Sequence, residues 1–254
     1  MRLTGRTGEA VPPSHTPCPS RLGILNGMKR TILLPGAIIL AGVIIAISVY
    51  MVRVNNLPPV PAPDISALRP VSPEEHVVGN PTGGVVIVTY SDLDCAYCKQ
   101  FERTMSQIMT DYGAGGQVAW VFRHLPLVSS HANAGLHAEA SECVAALAGE
   151  DAFWRFIDLM HSSAPGTNEF NPNAYTSLLP QVGVEDDAFE TCMAEGRYVK
   201  KVESDLANAL DIGAIAAPYS VVVVKGEEPI AISGALTYGE MKMIIEQALE
   251  QLTR

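Results

Sequence analysis

Positive charge is scarce beyond residue 63, where 26 acidic residues face 11 basic ones for a net charge of −15. Such a surface repels a phosphate backbone, so nucleic acid is excluded as a partner. Negative charge is just as scarce before that point, where Glu9 stands alone against six basic residues. Cysteine is sparse too, five in 254 residues. There is no second C-x-x-C and no H-x-x-x-H spacing, which argues against a metal site. His124, His131 and His137 therefore read as surface or loop residues, and their joining Cys95 and Cys98 around a metal is the lesser reading. Internal repeats are absent.

Long uncharged apolar runs are also missing, with one exception at residues 32–52. That run is long enough at 1.5 Å per residue to cross a bilayer core of about 30 Å. Lys29 and Arg30 precede it and only Arg53 closely follows, so residues 31–53 read as a transmembrane signal anchor with its N-terminus in the cytoplasm. No small-x-small site follows the run, which disfavours cleavage, and no cysteine stands close enough to carry a lipid. Residues 1–30 are rich in Pro, Ser, Thr and Gly and read as a disordered cytoplasmic segment. Met28-Lys29-Arg30 has the form of a natural start, in which case Cys18 belongs only to the longer reading frame. Residues 54–73 hold six prolines and read as a semi-rigid spacer.

What is present is an apolar fraction of 48%, enough for a proper core. The chain is organised around residues 85–101. A β-branched run there gives way to a short acidic turn, and Cys95 and Cys98 then open a helical pattern. A cysteine just ahead of a helix's first turn faces unpaired backbone N–H groups and the positive end of the helix dipole, which favour the thiolate. Cys95 thus reads as the attacking thiolate and Cys98 as the resolving thiol that closes the disulfide. Ala96 and Tyr97 between them tune the site. Asp92, Asp94 and Glu102 are expected to solvate its rim, and Lys99 to lie on an exposed helix face.

Strands are expected at 77–79, 85–90 and 117–124, with a helix at 98–112 carrying Phe101, Met105, Ile108 and Met109 at helical spacing. Residues 131–211 are helical with breaks, far more than one crossover needs, and read as an inserted domain. Strands at 219–224 and 230–233 and a helix at 238–252 close the chain. The order is that of an α/β thioredoxin fold, a central mixed sheet flanked by helices, with an inserted α-helical domain.

The run Tyr90-Ser91-Asp92-Leu93-Asp94-Cys95-Ala96-Tyr97-Cys98-Lys99-Gln100-Phe101 resembles the active site of DsbA-like thiol–disulfide oxidoreductases. Further matches are Val121-Phe122-Arg123-His124-Leu125-Pro126-Leu127, His131-Ala132-Asn133-Ala134, Ala140-Ser141-Glu142-Cys143 and Ala217-Pro218-Tyr219. The resemblance covers roughly residues 70–254 and implies a thioredoxin domain over 74–254. It implies that Pro218 is the cis-proline packing against the disulfide, with Ala217 before it turned toward the sulfurs. Relatives often have Gly-Thr at that place, where this chain has Ala216-Ala217, so a hydroxyl near Cys95 is missing. Some relatives carry a second disulfide, and in an oxidising compartment Cys143 and Cys192 are expected to be bridged. Two unpaired cysteines, or a second redox pair, are the alternatives.

The resemblance implies an extracytoplasmic enzyme that forms disulfides in newly exported cysteine-containing proteins. It needs no cofactor and is reoxidised by a membrane partner of the DsbB or VKOR type. The same site run by a reductant is a reductase or isomerase, and a non-catalytic metal-handling module is the reading from another class.

Overall fold

The computed structural model describes residues 38–52, 64–165 and 169–253. The chain divides into two units, residues 1–60 and 61–254. In the first, residues 38–52 form helix α1 with exposed side chains. Among the described residues, no helix is long and apolar enough to cross a membrane. The tail at 1–30, the anchor's residues 31–37 and 53, and the spacer's residues 54–63 lie outside the described residues.

The second unit contains β1 (His76–Gly79), β2 (Val85–Ser91), α2 (Ala96–Tyr112), β3 (Val118–His124), α3 (Ala134–Ala148) and α4 (Glu150–Ser163). It continues through α5 (Tyr175–Leu178), α6 (Asp186–Ala194), α7 (Val199–Asp211), β4 (Tyr219–Val224), β5 (Ile230–Ser233) and α8 (Tyr238–Gln251). The sheet order is β1-β3-β2-β4-β5. Only β2 and β3 pair in parallel, which the α2 crossover between them permits. Every residue of β2 and β3 is buried, as expected of strands covered on both faces.

Alternation along β2 divides the core. Val85 and Ile87 join a cluster with Phe101, Met105 and Ile108 of α2, Phe153 and Phe156 of α4, and Ile245 of α8. Val86, Val88 and Tyr90 face the other way, toward Ala209 of α7 and Ile212 beyond it. At the entry to β2, a Cβ on Gly84 would lie 2.0 Å from Leu252 Cδ1 at the end of α8, so a side chain there would have to displace that of Leu252. The inserted helices α3–α7 are laced by the Cys143–Cys192 disulfide between α3 and α6, with Cα atoms 6.0 Å apart. Opening it by a double Cys→Ala change is expected to cost about 4 kcal/mol, since it closes a span of 49 residues, and chemical denaturation measures this.

The spacer ends earlier than its composition implies. Asp64 caps a 3-10 turn over Ile65–Ala67, and Ile65, Leu68 and Val71 pack against the second core cluster. Their three-residue spacing is hidden among the prolines, so residues 64–73 belong to the folded unit. Arg69 secures them with ion pairs to Glu75 at 3.1 Å and Asp205 at 2.5 Å. Beneath this segment Arg123 is fully buried. Its guanidinium donates to both oxygens of Glu75 at 3.0 and 2.9 Å, to Tyr90 Oη at 2.8 Å, and to the Arg69 carbonyl at 2.8 Å.

Helix α8 opens with a capping box in which Thr237 and Glu240 each bond the other's backbone N–H. Thr237→Ala is expected to lower stability by about 1 kcal/mol without touching the dithiol, as a shift in the denaturation midpoint would show.

Candidate active site

β2 ends at Ser91, residues 92–94 form a tight loop, and Cys95 is the N-cap of α2. Its φ of −71° and ψ of 123° are non-helical, and no side chain caps the helix. The first-turn N–H groups are thus left for the sulfur. Both cysteines are free thiols. Cys98 is fully buried and Cys95 is 7% exposed.

The two sulfurs are driven apart in acidity. The hydrogen bond from Cys98 lowers Cys95 to about 6, against burial, with help from the N–H groups of Cys98 and Tyr97. Burial pushes Cys98 well above the ordinary thiol range, and its contact with the Cys95 sulfur adds to the rise. The sign is that of a stabilised thiolate: Cys95 is ionised above its depressed value and reprotonated as pH falls through it. Iodoacetamide is therefore expected to alkylate Cys95 with a half-maximum at pH about 6, while Cys98 stays inert below pH 9. Mass spectrometry of the two peptides reads both.

The acids around the dithiol are not a solvated rim. Asp92, Asp94 and Glu102 are buried. Asp92 Oδ1 accepts the Asp94 N–H at 2.8 Å, and its Oδ2 accepts the Leu127 N–H at 2.7 Å and faces His131 Nδ1 at 3.0 Å. Asp94 accepts the Phe170 N–H at 3.1 Å and lies 3.3 Å from His137 Nε2. These carboxylates tie the active loop to the segment after β3 and to the insertion, which covers them. Lys99 is likewise buried rather than exposed, its Nζ donating to the Ala164 carbonyl at the end of α4 at 2.9 Å.

Glu102 accepts the Ser91 hydroxyl at 2.7 Å and faces His161 Nδ1 at 3.2 Å. Sequence reasoning missed this pair and His161. The signal was available for Glu102, which lies on the same stripe as Cys98, Phe101 and Met105.

His124 and His137 are also buried, against the expectation of surface positions. His124 Nε2 meets Glu142 Oε1 at 3.0 Å, and His137 Nδ1 meets Tyr175 Oη. Among the described residues, no group of three or more His, Cys, Asp or Glu is placed to hold a metal.

Opposite the dithiol, the Ala217–Pro218 bond is cis and the Ala217 carbonyl lies 3.6 Å from Cys95 Sγ. Ala96 is part-buried in the first turn of α2. Tyr97, two residues after Cys95, and Ile215, two residues before Ala217, are 68% and 70% exposed, and of the two active-site sulfurs only that of Cys95 belongs to a residue with any exposure.

A mixed sheet that delivers an N-cap thiol and a buried resolving thiol opposite a cis-proline loop defines the thioredoxin-fold thiol–disulfide oxidoreductases. The chain belongs to the thioredoxin family, whose description matches residues 71–247. Among curated proteins it is similar to the Na(+)/H(+) antiporter NhaA 3 of Salinispora tropica, 31% identical over 152 residues, 59% of this chain and 22% of that protein. It is also similar to NhaA 1 of Salinispora arenicola, 30% identical over 146 residues, 57% of this chain and 21% of that protein. The chain thus spans about a fifth of the length of these relatives.

Among solved structures, Pseudomonas aeruginosa DsbA2 aligns with a TM-score of 0.59 at 21% identity, covering 72% of this chain and 96% of that one. Oxidised BdbD from Bacillus subtilis aligns at 0.59 and 22%, covering 74% and 96%. Proteus mirabilis ScsC in a transitional conformation aligns at 0.57 and 16%, covering 91% and 98%. At these identities the likeness is one of fold, including the helical insertion.

Proposed function

We propose that the chain is an extracytoplasmic, membrane-anchored oxidase that forms disulfides in newly exported proteins. The observation that carries this reading is the opposed acidity of the two thiols at the start of α2. A stabilised Cys95 thiolate makes the reduced pair the favoured state, and so makes the Cys95–Cys98 disulfide a good acceptor of electrons. At about 6, Cys95 stands between the values near 7 in thioredoxin and near 3.5 in DsbA.

In the reaction, a substrate thiolate attacks Cys95 Sγ, the Cys95–Cys98 bond breaks, and the electron pair leaves on Cys98. The mixed disulfide is released when the substrate's second thiolate attacks its own bridged sulfur, leaving Cys95 as thiolate. The substrate is oxidised and the enzyme pair reduced. The free edge of the Ala217 backbone opposite Cys95 suits an extended substrate segment paired as an added strand. Tyr97 and Ile215 supply apolar contact for an unfolded chain.

The reduced pair returns its electrons to a quinone-linked membrane partner of the DsbB or VKOR type, near which the apolar run 32–52 holds the domain. Likeness to proteins named as Na(+)/H(+) antiporters supports a place of action at a membrane. The experiment is oxidative refolding of a reduced, multi-cysteine substrate by the oxidised full chain, with alkali-extracted membranes probed for the chain. Stoichiometric disulfide formation with membrane retention is expected. Reduction of insulin by the chain with no refolding activity would assign the reductase direction instead.

A further inference from the structure

A thiol attacks a disulfide only after losing its proton. An ordinary cysteine thiol, with a pKa of about 8.5, is ionised to roughly 3% at pH 7. A base that takes the proton of a substrate thiol beside Cys95 is therefore worth up to about 30-fold in rate.

One histidine is held at that place. The chain after β3 turns at Leu127, whose carbonyl accepts the Ser130 and His131 N–H groups at 2.8 and 2.9 Å. Asp92 Oδ2 clamps both ends of this turn, accepting the Leu127 N–H at 2.7 Å and facing His131 Nδ1 at 3.0 Å. The backbone of the same Asp92 serves the dithiol. Its carbonyl accepts the Cys95 N–H at 3.1 Å and its N–H bonds Cys98 Sγ at 3.4 Å. One buried residue thus fixes the imidazole relative to both cysteines.

A carboxylate only accepts, so Nδ1 is the donor and the neutral ring keeps its lone pair on Nε2. Among the described residues Nε2 makes no hydrogen bond, and the His131 side chain is 21% exposed above a sealed Asp92. His124 and His137 are engaged elsewhere, the first with Glu142 and the second with Tyr175 and Asp94.

We propose that His131, oriented by Asp92, accepts the proton of the incoming substrate thiol at Nε2 as that sulfur attacks Cys95. This rests on the oxidase reading above. The new S–S bond forms to Cys95 Sγ, the Cys95–Cys98 bond breaks, and Cys98 leaves with the electron pair and takes a proton from water. The substrate's second thiol then gives its proton to water and attacks its own bridged sulfur, and Cys95 departs as thiolate. The substrate has lost two protons and two electrons. Cys98 and His131 hold the protons, and the cysteine pair holds the electrons. Reoxidation of the pair returns the His131 proton to solvent.

The surroundings suit an imidazole that gains charge as the disulfide is reduced. Burial opposes the imidazolium, but the hydrogen bond and charge of Asp92 outweigh it, and Cys95 and Asp94 add to the rise. These three act from the loop after β2 and the head of α2, while residues 125–130 of the histidine's own segment carry no charge. The Cys95 contribution exists only once its thiolate has formed, so the ring binds its proton more tightly after the exchange than before it.

The test is quenched-flow reduction of the oxidised full chain by excess reduced glutathione between pH 6 and 9.5, and by 4-nitrothiophenol, which is already ionised at pH 7. His131→Asn keeps an N–H for Asp92 and removes the base. With glutathione it is expected to be about 10-fold slower than wild type at pH 7 and to converge on it by pH 9.5, where the thiol ionises unaided. Against the aromatic thiolate at pH 7 the two rates are expected to agree within about twofold, since there is no proton to take.

A loss of equal size with both thiols would overturn the proposal, because it would come from the charge of the ring or from damage to the turn. Equal glutathione rates at pH 7, in a wild type that still oxidises substrate, would overturn it and leave the oxidase reading standing. Failure of the wild type to exchange with either thiol would overturn both.

Discussion

Cys95→Ser is expected to lower thiol–disulfide exchange on the order of 1,000-fold, to the background, whereas Cys98→Ser retains the attack and accumulates mixed disulfides on residue 95. The asymmetry follows from placement. Cys95 caps α2 and accepts from the N–H groups of Tyr97 and Cys98, so it is the sulfur that ionises near neutrality. Cys98 is sealed, and the hydrogen bond from the Asp92 N–H at 3.4 Å favours its thiolate but is outweighed by burial. Without Cys98, a substrate bridged to residue 95 has no internal thiol to release it. Non-reducing gels of each variant after incubation with a reduced substrate give the comparison, and equal trapping by both would reverse the assigned roles.

Arg123→Met is expected to cost about 3–5 kcal/mol of stability, the scale of breaking a buried ion pair from one side. Glu75 would lose both Arg123 bonds and keep only Arg69, itself part-exposed, while the Tyr90 hydroxyl and the Arg69 carbonyl would lose a buried donor. The residue lies at the end of β3 and also fixes the 64–73 segment, so the loss should appear as unfolding of that segment along with the domain. Arg123→Lys should recover little, because an ammonium cannot reproduce the two-pronged contact with Glu75. Urea denaturation of the full chain measures both; a cost under about 1 kcal/mol would mean that the network contributes little net stability.

The elements of the thioredoxin domain were legible because each rests on a local signal. The β-branched run into Cys95, the spacing of Phe101, Met105 and Ile108, and the turn residues before β5 mark their strands and helices within a residue or two. The polar interior was not legible, because it is made by tertiary cover. Asp92, Asp94 and Lys99 sit in a stretch that reads as hydrophilic, and are buried by tertiary cover: the segment after β3 over Asp92, the segment around Phe170 over Asp94, and the end of α4 over Lys99. Residues 64–73 misled for the opposite reason: a proline-rich composition masked three apolar positions that reach the core. Glu102 lay in plain view on the buried stripe of α2, but its contacts with Ser91 of β2 and His161 of α4 are tertiary, and no spacing reveals them.

The central claim is that the Cys95–Cys98 pair is a donor of disulfides, and its redox potential in glutathione buffers tests this most directly. A value more positive than about −200 mV, on the oxidising side of the glutaredoxins, is the result expected for a thiolate stabilised at the head of α2. A value near −270 mV, the poise of thioredoxin, would contradict the account and make the chain a reductase.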